Sequence, residues 1–312
     1  MLGSTAWSSF PAIRMEGVIT FSPNQDGELG LNASICGFPV FLDQFAIKEL
    51  ACRNPSRRQK FIEVVHRGAD VLFSVSNAAE LTGPQGDSFR EIRDFLDEIG
   101  PHWFPVELNP VEIVNREREG KPVDACCVCK DFMIRLLAFH NRNHPKERVF
   151  GISSDLFNLR FVMDWLVSQR HSIASGKKEM DAALIKKIED HRAKHDADPQ
   201  WLDNHFPALQ FHPQFAGTFA YVNMVRCLVL ESKSYAMQPG DGIDFCQAVI
   251  GSAFASVATL DKKWKRRVEI MPKPNQLATV YYAPELDRMV DDLESAVKQW
   301  LQVGPGTFLA HP

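Results

Sequence analysis

The chain places five acidic residues where their type and spacing could do chemistry. Three lie in one short stretch. Asp241 and Asp244 follow the Pro239-Gly240 turn, and Asp261 follows an apolar run. Asp241 and Asp244 fall on one face of the first turn of a helix expected over residues 245–254. Residues 255–260 form a short apolar segment that suits a buried strand, and that strand delivers Asp261 at its end. An acid at the carboxyl end of a strand, beside a helix start bearing another, is how open α/β sheets build sites. The same design recurs at residues 39–42, which end on Asp43, and at residues 70–76, followed by Glu80. Carboxylate oxygens are the donors that hard divalent ions prefer. Such ions activate water and neutralise a leaving oxygen with no help from His or Cys.

The elements around these acids follow from periodicity. Residues 17–22 and 29–35, separated by an Asp-Gly turn, predict a β-hairpin. Residues 103–106 predict a further extended piece, and residues 267–271 an edge strand. Residues 88–99 carry a helical stripe of Phe89, Ile92, Phe95, Leu96 and Ile99. Between residues 107 and 238 no strand is expected, and helices are predicted over 126–139, 155–170, 178–194 and 207–235. A last amphipathic helix is expected over 286–301. The division is a hairpin extension (1–38), a sheet core in two parts (39–106 and 236–285), a helical insertion or second domain (107–235), and a C-terminal helix and tail (286–312).

Composition sets outer limits. The chain has 312 residues, 45% hydrophobic and 24% charged, with net charge −4. No overall basic field advertises nonspecific nucleic-acid binding, although an acidic site can sit inside a local basic rim. No apolar run approaches the roughly 20 residues of a membrane helix. The N-terminus lacks the basic and apolar regions of a signal peptide. Seven cysteines without a disulfide-like pattern suit a reducing, cytoplasmic setting. Cys126, Cys127 and Cys129 lack the second pair of a structural zinc site and are expected as buried thiols.

Taken in order, the acidic segments resemble the four motifs of PIN-domain nucleases: Leu42-Asp43, then Ser74-Val75-Ser76-Asn77-Ala78-Ala79-Glu80, then Asp241-Gly242-Ile243-Asp244, then Thr259-Leu260-Asp261. The resemblance covers roughly residues 35–105 and 236–285, under half the chain. Gln44-Phe45 follows the first Asp, where family members often carry Thr, Ser or Asn. The resemblance implies a three-layer α/β/α sandwich with a mostly parallel sheet, interrupted here by helices. It implies a metal-dependent endoribonuclease, with Asp43, Glu80, Asp244 and Asp261 as catalytic ligands of Mg²⁺ or Mn²⁺ and Asp241 as a further ligand. Either Asp241 or Asp244 can be the third acid, and the spacing to Asp261 favours Asp244. RNA is the implied substrate. An antitoxin or other regulatory protein, or a second copy of the chain, is a candidate partner. A structure-specific DNA nuclease and an inactive binding scaffold are the alternatives.

Each acid also has a purely structural use, as a helix cap or a complement to a helix dipole. The basic residues have two uses as well. Lys262, Lys263, Lys265 and Arg266 directly after Asp261, Arg57 after Asp43, and Lys233 before the key turn could hold substrate phosphates or form solvated charged faces.

Overall fold

The computed structural model describes residues 20–23, 29–32, 34–81, 88–144, 158–272 and 276–303. Strands β1 (Thr20–Pro23) and β2 (Leu29–Asn32) pair antiparallel as the expected hairpin. Its turn lies outside the described residues.

The central sheet has five strands: β3 (Phe38–Phe41), β4 (Ala69–Ser74), β5 (Trp103–Val106), β6 (Val257–Thr259) and β7 (Thr279–Tyr281). All pairs are parallel, in the order β5-β4-β3-β6-β7. Strands buried on both faces need apolar side chains at every position, which is why they read as continuous runs. Their side chains alternate between two cores. Val40, Val71, Phe73 and Val257 enter one, and Phe41, Leu72, Phe104 and Ala258 enter the other.

Helices cover both faces. They are α1 (Gln44–Cys52), α2 (Pro55–Gly68), α3 (Val75–Leu81), α4 (Ser88–Ile99), α5 (Pro110–Arg118), α6 (Val123–Cys127), α7 (Lys130–Asn143), α8 (Leu159–Ala197), α9 (Trp201–His205), α10 (Ala216–Leu230), α11 (Asp241–Phe254), α12 (Lys262–Glu269) and α13 (Leu286–Val303). The first core takes Ile47 of α1, Phe61 of α2, Phe95 of α4, Met133 of α7, Met163 of α8 and Leu293 of α13. The second takes Ile113 of α5, Met224 of α10, Val249 of α11 and Trp264 of α12. The chain is therefore α/β with an all-parallel sheet between helical layers. The helices of residues 107–235 share both cores with the sheet instead of forming a core of their own.

Four local expectations change. The helix expected over 207–235 is shorter and runs from Ala216 to Leu230, behind a 3₁₀ turn at Pro213–Phe215. Residues 267–271 do not form an edge strand. Trp264, Arg267 and Val268 are buried at i, i+3 and i+4, so the segment through Glu269 is helix α12, and the edge strand is β7. The helices expected over 155–170 and 178–194 are one: α8 runs unbroken for 39 residues, with no proline to stop it. Residues 155–157 lie outside the described residues. The helix expected over 126–139 is split at Val128, whose bridge to Val106 takes its backbone out of helical geometry. Cys126, Cys127 and Cys129 are buried, and burial pushes all three thiols up, Cys126 to about 11 and Cys129 to about 12. Among the described residues no helix is long and apolar enough to cross a membrane.

Helix α11 lies close on the central strand because Gly251 has no side chain. A Cβ there would stand 2.8 Å from Phe41 Cδ1, inside a packed core. Gly251→Val is expected to lower unfolding stability by about 2–3 kcal/mol through overpacking. Urea unfolding measures this, and an unchanged midpoint would contradict the packing.

Candidate active site

The site begins at the point where strand order reverses. β3 pairs with β4 on one side and β6 on the other, so the chain leaves β3 and β6 into a crevice at their carboxyl ends. Asp43 follows β3 and Asp261 follows β6. Glu80 comes from α3, which follows β4, and Asp244 from the first turn of α11. These four carboxylates line one cleft of about 120 Å³, together with Gln44, Phe45, Gln247 and Trp264. Acids separated by up to 218 positions in sequence thus share one hollow.

Neutral polar residues fix the frame. The Asp43 backbone N–H donates to Thr259 Oγ1 at 2.8 Å, and that hydroxyl donates to Asp43 Oδ1 at 3.0 Å. The ends of β3 and β6 are thereby tied. Asn77 Nδ2 donates to the Leu42 carbonyl at 2.9 Å, and its Oδ1 accepts from the backbone N–H and hydroxyl of Ser74. Gln44 Nε2 donates to the Glu80 carbonyl at 3.0 Å, and Gln247 Nε2 to Ser76 Oγ at 3.1 Å. The Trp264 indole donates to Asp244 Oδ2 at 3.2 Å. These bonds hold the segments that carry Asp43, Glu80 and Asp244, and all four acids line the cleft.

The acids differ in how much structural work they do. Asp43 caps α1, with Oδ1 accepting from Ala46 N at 2.9 Å. Asp261 stands at the N-cap position of α12 but makes no capping bond. Its backbone carbonyl accepts from Trp264 N and Lys265 N, but among the described residues its carboxylate makes no hydrogen bond or ion pair, so the local fold does not use its charge. Burial, reinforced by Asp261 and Glu80, pushes Asp43 up to about 6 against the bonds from Ala46 and Thr259. Burial likewise pushes Asp244 up to about 6, again reinforced by Asp261 and Glu80, against Lys263 and Trp264. A buried carboxylate beside like charges is costly to ionise, and such groups concentrate at functional sites.

That cost has a measurable consequence. The folded state binds the Asp244 proton more tightly than the unfolded chain does. Stability therefore falls as pH rises from about 4 to about 6 and levels off above. Asp244→Asn removes this loss. It is expected to raise ion-free stability at pH 7 by about 1–2 kcal/mol and to flatten the decline from pH 5 to 7. Urea unfolding at the two pH values checks both; a less stable Asn variant with an unchanged pH slope would contradict the burial of this charge.

Not every expected residue reaches the cleft. Asp241 is buried, and its oxygens are taken by Tyr235 Oη (2.5 Å), Gln238 N (2.6 Å) and Lys263 Nζ (2.5 Å). Burial pushes it up, but Lys263, Tyr235 and Gln238 outweigh that and hold it below the usual range. It anchors the turn into α11 and does not line the cleft. Lys263 also reaches Asp244, at 3.4 Å. Lys265 is paired with Glu285 and Glu269. Arg57 binds Asp287, in a set of ion pairs joining α2 to α13, and does not line the cleft. Lys233 is exposed just past the end of α10. Lys262 and Arg266 are exposed and unpaired among the described residues, and Lys262 directly follows Asp261.

Two residues of α8 belong to the site and carried no local sequence signal. Asp181 Oδ1 accepts from Gly242 N at 2.9 Å and Ile243 N at 3.3 Å, and Oδ2 from Gly240 N at 2.8 Å. It caps α11 from another helix, and Gly242 permits the approach: a Cβ there would lie 2.7 Å from the Asp181 carbonyl oxygen. Lys177, one turn earlier, places Nζ 2.5 Å from Glu80 Oε1. Phe45 was also missed as a site residue. It is 43% exposed while lining the cleft beside Asp43.

The donor set is oxygen only, which suits a hard divalent ion. Among the described residues no three acidic, His or Cys side chains stand close enough to form a ready-made ion cage. The fit lies in the type and facing of the donors, with Glu80 drawn toward Lys177. No family model, no curated protein and no solved structure matches the chain.

Proposed function

We propose that this chain is a metal-dependent phosphodiesterase with a PIN-like fold that hydrolyses RNA. One observation carries the reading: Asp43, Glu80, Asp244 and Asp261 arrive from four chain segments at the switch point of a parallel sheet and face one cleft. Gathering like charges in one cleft opposes folding unless a cation is to be received.

In this reading the four carboxylates would hold Mg²⁺ or Mn²⁺. The ion supplies a more acidic water and neutralises charge at the phosphate. Asp43 is fixed by Thr259 and Ala46, and Asp244 by Trp264, so their oxygens are pre-positioned. Lys262, exposed beside Asp261, is placed to contact a neighbouring phosphate. Phe45 offers an aromatic face on which an unpaired base can stack, a contact worth about 1–3 kcal/mol.

The test is incubation of the purified protein with end-labelled RNA, single-stranded DNA and flap DNA, with Mg²⁺, with Mn²⁺ and with EDTA. RNA cleavage that needs the ion is the expected result. Preferential flap cleavage would move the assignment to a DNA nuclease. No cleavage of any substrate with either ion would refute the catalytic reading and leave a binding scaffold.

A further inference from the structure

Helix α8 does more than cover the sheet. Its first half packs Val162, Met163 and Leu166 into one core, and Ile188 packs into the core on the opposite face. The crossing falls at Lys177 and Asp181, beside the elements that carry Glu80 and Asp244. Asp181 is bonded to three backbone N–H groups of the α11 start, so this part of α8 is fixed against the site. Lys177 then has a defined root and a flexible stem. Its side chain is 29% exposed, and that of Glu80 is 13% exposed. The other Glu80 oxygen faces Gln247 Nε2 at 3.4 Å.

The charge balance gives this pair meaning. Four carboxylates face the cleft, and among the described residues no Lys or Arg pairs with Asp43 or Asp261. Lys263 is divided between Asp244 and Asp241. Lys177 is therefore the cation committed to the cleft itself. An ammonium on four methylenes is a compact charge that can swing aside without moving its helix.

We propose that Lys177 is a resident counter-ion, which holds Glu80 in the ion-free protein and releases it when a divalent cation enters. This inference rests on the metal-site reading above. It accounts for Glu80 being held toward α8. It also gives the long helix a function: α8 carries a built-in competitor for the ion, positioned by Asp181.

Calorimetric titration with Mn²⁺ on wild type, Lys177→Met and Lys177→Arg tests the proposal, with melting temperatures measured with and without the ion. Removing a competing charge at contact distance is expected to tighten Mn²⁺ binding in Lys177→Met by roughly tenfold. The ion-free melting temperature of that variant falls, and saturating Mn²⁺ narrows the gap to wild type. Lys177→Arg, which can grip Glu80 with two N–H groups, binds Mn²⁺ no tighter than wild type. A purely structural lysine would lower both melting temperatures equally and leave the affinity unchanged, and that result overturns the proposal. Wild-type binding with unchanged Lys177→Met affinity defeats this inference alone. No Mn²⁺ binding by any of the three proteins defeats the metal-site reading and this inference with it.

Discussion

Asp261→Asn is expected to reduce ion-dependent RNA cleavage by on the order of a thousandfold or more, with the fold intact. Asp261 is the acid whose charge the local fold does not use: it occupies the N-cap position of α12, and its carboxylate makes no capping bond and pairs with nothing among the described residues. Asparagine keeps its shape and removes only the charge. The like-charge push on Asp43 and Asp244 is relieved at the same time. The melting temperature in EDTA should therefore stay level or rise, while the stabilisation given by Mn²⁺ shrinks. Steady-state cleavage rates, circular dichroism and thermal melts read these separately. Full cleavage by Asp261→Asn would remove it from the catalytic set. Lost cleavage with a collapsed melt would make it a structural acid.

Asp181→Ala is expected to cost about 3 kcal/mol of stability and to weaken Mn²⁺ binding as well. Its carboxylate accepts from Gly240, just ahead of α11, and from Gly242 and Ile243 in its first turn, where N–H groups have no partner within their own helix. Hydrogen bonds to a charged acceptor are among the stronger ones, and donors left bare in a packed setting cost more. The first turn of α11 also carries Asp244, so loosening it moves a cleft carboxylate. Asp181→Asn keeps an acceptor for Gly242 and Ile243 and should lose about half as much. Chemical unfolding and Mn²⁺ titration of both variants check the order. If Asp181→Ala loses stability but binds Mn²⁺ as wild type does, the cap is structural only.

Much of the frame was legible in the chain because it is encoded locally. The apolar runs at residues 39–42, 70–76 and 255–260 announce buried strands, since a parallel sheet needs apolar side chains on both faces. The stripe of α4 and that of α13 follow from helical periodicity. Four acids could be placed at strand and helix ends for the same reason. The edge strand was misplaced because residues 267–271 look β-like once the basic residues are set aside. The burial of Trp264, Arg267 and Val268 on one stripe makes the segment through Glu269 helical.

The residues that escaped sequence reasoning act across long separations. Asp241 and Asp244 look alike in the chain, one helical turn apart. Tyr235, Gln238 and Lys263 consume the first, while Trp264 aims the second into the cleft. Lys177 and Asp181 sit in a charged helix with no motif around them. They acquire a role only because α8 crosses from one core to the other beside Glu80 and the start of α11. The basic run after Asp261 is equally mute: Lys265 and Lys263 are spent on internal pairs, and Lys262 is left exposed.

The sequence by itself determined the strands, most of the helices and the four segments that bring acids to their ends, because hydrophobic period and terminal residue type are local properties. Only the tertiary structure decided which carboxylates share the cleft, which are spent on caps and ion pairs, and which distant lysine and aspartate hold them. Hydrogen bonds and charges act through space between elements, and no local window of the chain contains both partners.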